Sequence, residues 1–151
     1  MAKFYIAYIQ VSGNSWEIDV HKRIFKMEYS IFLDGRKIGV SELEKADAPM
    51  GVVFGKINFT EGNLNYEFFS DYCKRNSIEV GFEYPEDKLI STRSIPTLIV
   101  TNEKGIEIKG SGTHICGMDS DGFEIEIFGV PYPFYEEEFP HHVKEYNERF
   151  G

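Results

Sequence analysis

The sequence predicts an α+β domain, mainly antiparallel β-sheet with one central helix at about residues 63–76 and a short C-terminal helix at about 141–149. Three observations predict it. Apolar residues alternate with period two over many short runs, turn residues recur about every ten positions, and only those two segments carry a helical apolar stripe. No internal repeat, low-complexity tract or Pro/Gly/Ser linker divides the chain, so residues 1–151 are expected to form a single domain.

Phe4 to Ile9 alternates as a strand does and ends at Ser12-Gly13-Asn14. The next segment reads two ways: Trp16, Ile18 and Val20 suit a strand, whereas Trp16, Val20 and Ile24 suit a helical face behind a Ser15 cap. Tyr29, Ile31 and Leu33 then alternate, Asp34-Gly35 supplies a turn, and Ile38, Val40 and Leu43 follow. Asp-Gly between two apolar runs is a strong hairpin signal, because both residues tolerate positive φ. Lys45 to Gly51 reads as a loop, since Pro49 steers its predecessor away from helix. Val52 to Phe59 reads as one strand interrupted by Gly55.

The central helix rests on Leu64, Phe68 and Tyr72 with Phe69 and Cys73, all at i, i+4 spacing, and Lys74-Arg75-Asn76 ends it. Five short apolar runs follow, at 78–82, 89–92, 98–101, 106–109 and 123–128. Asn102 to Gly105 closes one hairpin and Asp119 to Gly122 another. Pro131, Pro133 and Pro140 are expected to keep Val130 to Phe139 extended, before Val143, Tyr146 and Phe150 mark the last helix.

Composition narrows the classes of function. The formal charge is −9, with eight Lys/Arg and seven Asp/Glu in residues 1–60 but eight and eighteen thereafter. Such a surface repels phosphate backbones and anionic lipid, so neither nucleic acid nor membrane is an expected partner, whereas a basic protein is. No segment reaches the ~18 apolar residues of a membrane span, and no signal peptide is evident. Two cysteines without C-x-x-C spacing suit a reduced, cytoplasmic protein. The chain is 15% aromatic, with 13 Phe and 9 Tyr, a surplus that suits both strands and interfaces.

Candidate chemistry is sparse. Asp119, Asp121, Glu124 and Glu126 bring four carboxylates close together, but not at the spacing of a calcium loop. On a strand, Glu124 and Glu126 share the solvated face opposite Phe123, Ile125 and Ile127. His114 and Cys116, two apart, point the same way if extended. Gly110 to Thr113 supplies neither an oxyanion site nor an orienting partner, so a structural cysteine beside a hydrogen-bonded histidine is expected. Glu136, Glu137 and Glu138 precede His141 and His142. Adjacent histidines on a helix point about 100° apart and cannot easily share an ion, although His141 and Glu145 could. Gly110-x-Gly112 lacks the third glycine of a dinucleotide loop, and no hydrolase, zinc-protease or P-loop motif is present. No catalytic residue, metal site or cofactor is expected.

From Glu28 onward several segments carry a resemblance: Ile31-Phe32-Leu33-Asp34-Gly35, Ile38-Gly39, Glu42-Leu43-Glu44, Ala46-Asp47-Ala48-Pro49-Met50-Gly51-Val52, Phe54-Gly55, Gly117-Met118-Asp119-Ser120-Asp121-Gly122-Phe123-Glu124 and Pro131-Tyr132-Pro133-Phe134. Together they resemble a family of small bacterial proteins to which no activity, ligand or fold is attached. Met27 stands just before this region, which makes residues 1–26 an expected N-terminal extension or the product of an upstream start.

Three functions compete. The leading expectation is a non-catalytic protein-binding protein, of the immunity or inhibitor kind, that covers a basic toxin or nuclease with Asp119, Asp121, Glu124, Glu126 and Glu136–Glu138. The rival is a small enzyme or ligand-binding domain with its pocket at loops 47–51 and 114–122, using Asp47, His114 and Cys116. The third is a homo-oligomeric structural protein joined through a sheet edge.

Overall fold

The computed structural model describes residues 27–151. The expected strand at Phe4 to Ile9, the ambiguous segment after it and the extension at 1–26 lie outside the described residues. Among the described residues ten strands form two antiparallel sheets: β1 (Tyr29–Leu33), β2 (Arg36–Ser41), β3 (Lys45–Asp47), β4 (Val52–Lys56), β5 (Asn58–Phe59), β6 (Val80–Tyr84), β7 (Leu89–Thr92), β8 (Leu98–Thr101), β9 (Gly112–Met118) and β10 (Gly122–Phe128). The smaller sheet has the order β5-β2-β1-β8 and the larger β3-β4-β10-β9-β7-β6. Among the described residues there are three helices, α1 (Tyr66–Arg75), α2 (Phe134–Glu138) and α3 (Pro140–Phe150). The fold is therefore α+β and mainly antiparallel, with a central and a C-terminal helix as the sequence predicts. No helix among the described residues is long and apolar enough to cross a membrane.

The local turns follow their residues. Asp34 and Gly35 sit at φ 52° and 81°, the double positive φ of a two-residue hairpin, and join β1 to β2. β9 and β10 pair over their full lengths, from Gly122 opposite Met118 to Phe128 opposite Gly112. Their inward residues Ile115, Phe123, Ile125 and Ile127 are buried, so period-two alternation splits the hairpin into an apolar and a solvent face.

Four expectations are corrected. Lys45 to Gly51 is not a plain loop: Lys45–Asp47 pairs with β4 as an edge strand, and a 3-10 turn at Ala48–Met50 carries Pro49 where it needs no N–H. Val52 to Phe59 is not one strand. β4 pairs with β10 in the larger sheet and β5 with β2 in the smaller, and the chain changes sheet at buried Ile57, whose N–H donates to the Phe123 carbonyl at 2.9 Å. Residues 106–109 make only an isolated bridge, Glu107 opposite Thr101. Within Val130 to Phe139, Phe134–Glu138 is helical, because Pro133 precedes the first turn, where its preset φ favours a helix.

Helix α1 starts at Tyr66, three residues later than the apolar stripe alone suggests. Asn65 is its cap, its side chain accepting from the Phe68 N–H at 3.0 Å, while Asp119 accepts from the Tyr66 N–H at 2.8 Å. The helix packs its buried face against both sheets through Phe69, whose ring lies 5.8 Å from Phe59 and 5.5 Å from Phe123. At the other end of the core, buried Tyr135 and Phe139 stand beside Tyr29, the Tyr29–Phe139 ring distance being 5.6 Å.

A carboxylate fastens α1 to β6. Glu83 accepts from Ser70 Oγ at 2.6 Å and from the Tyr66 hydroxyl, and these two bonds, Ser70 first, hold its carboxyl below the ordinary glutamate range. A folded-state pKa below the unfolded value means this stabilisation is present above about pH 4.3 and is lost as pH falls through the folded pKa. Glu83→Gln is expected to flatten the acid limb of stability, followed by urea midpoints from about pH 6 down to about pH 3. Parallel acid limbs for the two proteins would refute that role.

Candidate functional site

The outer face of the larger sheet gathers the side chains singled out in β9 and β10. Antiparallel register places His114 opposite Glu126 and Cys116 opposite Glu124; on the far side of β10, Phe54 of β4 stands opposite Glu126 and Lys56 opposite Glu124. Their inward neighbours belong to the core, and α1 packs on that inner side through Phe69 and Phe123. The outer side chains Phe54, His114, Cys116, Glu124, Glu126 and Phe128 all keep part of their surface in solvent. Toward the β6 edge the same face becomes apolar. Leu89 and Met118 are half-buried there, Phe82 and Tyr84 are 48% and 57% exposed, and their two rings lie 5.8 Å apart.

The two glutamates have different surroundings. Glu124 accepts from Lys45 Nζ at 2.7 Å, and the same ammonium lies 5.7 Å from the centre of the Phe54 ring. Glu126 makes no hydrogen bond or ion pair among the described residues. Burial, followed by the nearby Glu124 charge, pushes its carboxyl above the usual range. His114 stands edge-on to Phe128, ring centres 4.7 Å apart, and burial holds its imidazole below the ordinary value. Gly112 makes room for that ring, because a Cβ there would meet His114 Nε2 at 3.0 Å.

His114 and Cys116 do share a face, as their spacing predicts. Burial pushes the Cys116 thiol up, which keeps it protonated and weakly nucleophilic near neutral pH. With the imidazole pushed down and the thiol up, both groups favour their neutral forms, the reverse of a thiolate–imidazolium pair.

The other carboxylates are dispersed. Asp47 lies on β3, three strand intervals from His114, or about 14 Å at ordinary sheet spacing. Asp119 and Asp121 are in the β9–β10 turn, beyond Met118, which is itself four residues along the strand from His114, and Asp119 is occupied at the start of α1. Glu136, Glu137 and Glu138 lie on α2, outside this sheet. Glu138 accepts from the Tyr29 hydroxyl at 2.9 Å and from Asn102 Nδ2 at 3.0 Å, so it is tied to the core while its two neighbours are exposed. His142 is buried and its Nε2 lies 2.8 Å from the Leu43 carbonyl; His141 is exposed, and no group of three or more His, Cys, Asp or Glu among the described residues is arranged to hold a metal ion.

Sequence reasoning missed one cleft, of about 260 Å³, between β3 and α3, lined by Glu44, Lys45, His142, Glu145, Tyr146 and Arg149. The signal was present in part, since His142, Glu145, Tyr146 and Arg149 repeat at helical spacing. Its charges are largely engaged: Glu44 accepts from the Lys56 N–H, Lys45 binds Glu124, and Arg149 stands 3.8 Å from Glu145. Phe54 also went unnoticed as a site residue, because its place beside Glu126 depends on strand pairing between distant segments. Comparison with protein-family models, curated proteins and solved structures finds no match to this chain.

Proposed function

We propose that the protein acts without catalysis, by binding another protein through the outer face of the larger sheet. The observation that carries this reading is the open face itself: half-buried Phe54, His114 and Phe128 flank glutamates of which one has no counter-charge among the described residues, and the β6 edge of the same face adds Phe82 and Tyr84, each about half exposed. Large side chains that are partly exposed and grouped around a few polar ones are the ordinary composition of an interface. The acidic chain favours a basic partner, and a toxin or nuclease restrained by an immunity or inhibitor protein is the class we propose. A reduced, cytoplasmic setting belongs to the same proposal. Neutral Cys116 and His114, held apart from Asp47, give the enzymatic alternative less support.

Photocrosslinking tests the reading. With p-benzoylphenylalanine placed at Phe54, the full chain in an extract of its native cells is expected to form a discrete adduct with a basic protein, and added salt is expected to reduce its yield. The same reporter at Phe32, on the smaller sheet, should form none. Adducts from position 32 but not position 54 would sink the assignment of this face.

A further inference from the structure

We infer that the partner seats an arginine or lysine side chain on Glu126, its stem packed between the Phe54 ring and the Phe128–His114 pair. The inference rests on the protein-binding reading above and names the chemistry that the face recognises. Glu126 is central in β10, with Phe54 on one side and His114 on the other, so an approaching cation would meet rings on both flanks. Half-burying a carboxylate without a counter-charge is unfavourable, and a cation supplied from outside would remove that cost.

No hydrogen bond or ion pair to Glu126 is found among the described residues, and Lys56, on the same face, stands opposite Glu124 instead. Lys45 is bound to Glu124; His114 is held neutral by burial, with Arg93 adding to that effect; and the influences acting on Glu126 are burial and Glu124, both unfavourable to its charge. The chain itself displays the mode of recognition on the same face, where Lys45 bonds a glutamate while resting over Phe54. Charge complementarity selects the occupant, since an acidic chain disfavours a second copy of itself and favours a basic protein. Arginine fits better than lysine, because its planar guanidinium stacks on rings and meets a carboxylate with two bonds.

The test uses the full chain and a defined probe, acetyl-Gly-Arg-Tyr-Arg-Gly-amide, with its citrulline counterpart as the neutral control. In amide NMR titrations the arginine peptide should shift resonances of residues 52–56, 112–118 and 124–128, and the citrulline peptide should not. Glu126→Gln should weaken the arginine peptide about tenfold, the effect of one charge-assisted contact, while Asp71→Asn, at an exposed position of α1, leaves it unchanged. Glutamine preserves the shape at 126, and an unchanged spectrum elsewhere verifies the fold. Equal affinity in wild type and Glu126→Gln, or shifts confined to α2, overturns the inference. Adducts from Phe54 combined with that equality overturn the Glu126 seat and leave the binding reading standing. Glu126-dependent peptide binding without any Phe54 adduct supports the seat and removes the protein-binding reading.

Discussion

Phe69→Ala is expected to destabilise the protein by about 3–5 kcal/mol, read as a lower urea midpoint with an unchanged slope. Phe69 is fully buried, and its ring packs against three others at once: Phe68 of its own helix at 5.2 Å, Phe59 of β5 at 5.8 Å and Phe123 of β10 at 5.5 Å. β5 and β10 belong to different sheets, so this one ring closes the corner where the chain passes from one sheet to the other. Deleting it removes the transfer energy of a phenyl group and leaves a cavity that backbone pairing on both sides prevents from collapsing. Phe68→Ala is the control, because that ring is only half-buried and should cost distinctly less. Equal losses in the two variants would mean that α1 is held by its caps and by Glu83 rather than by this aromatic corner.

That corner also marks where sequence reading ends. The β1–β2 hairpin was legible because Asp34-Gly35 carries its own backbone preference, and α1 was legible because its apolar residues repeat with the helical period. The switch between β4 and β5 was not, since Val52 to Phe59 alternates continuously and only pairing with β10 and β2 assigns its halves to different sheets. Lys45–Asp47 fails for the same reason: all three residues are exposed, so nothing in their hydrophobic pattern announces a strand.

The candidate site divides along the same line. That His114 and Cys116 share one strand face, and Glu124 and Glu126 another, follows from period two; that the two faces coincide follows from the Asp119–Gly122 turn. What no local pattern contains is the difference between the glutamates. Lys45 neutralises Glu124 from a position 79 residues away, whereas Glu126 receives a ring from Phe54 instead of a charge. The helix start shows the same logic, because Asp119, read as a turn residue and a partner-binding carboxylate, accepts from the Tyr66 N–H.

Glu138→Ala is expected to cost about 2–4 kcal/mol, whereas charge reversal at Glu136 or Glu137 should change stability by less than about 0.5 kcal/mol. In sequence the three are one acidic run. In the fold, Glu138 accepts from Tyr29 at 2.9 Å and from Asn102 at 3.0 Å, two buried donors on β1 and just after β8. Removing the carboxylate leaves both donors without this acceptor, each such loss costing about 1–3 kcal/mol, partly offset where water can enter beside the half-buried site. The hydroxyl of Tyr29 is committed to this bond: burial and then the Glu138 charge push its ionisation far above the ordinary range, so it stays a donor throughout the working pH range. Glu138→Gln, which keeps one acceptor oxygen but turns the other toward a donor, should fall between wild type and alanine. Urea denaturation of the four variants decides it: matched losses at 136, 137 and 138 would return the run to a solvated acidic patch, and a loss confined to 138 makes it the tie between α2 and the smaller sheet.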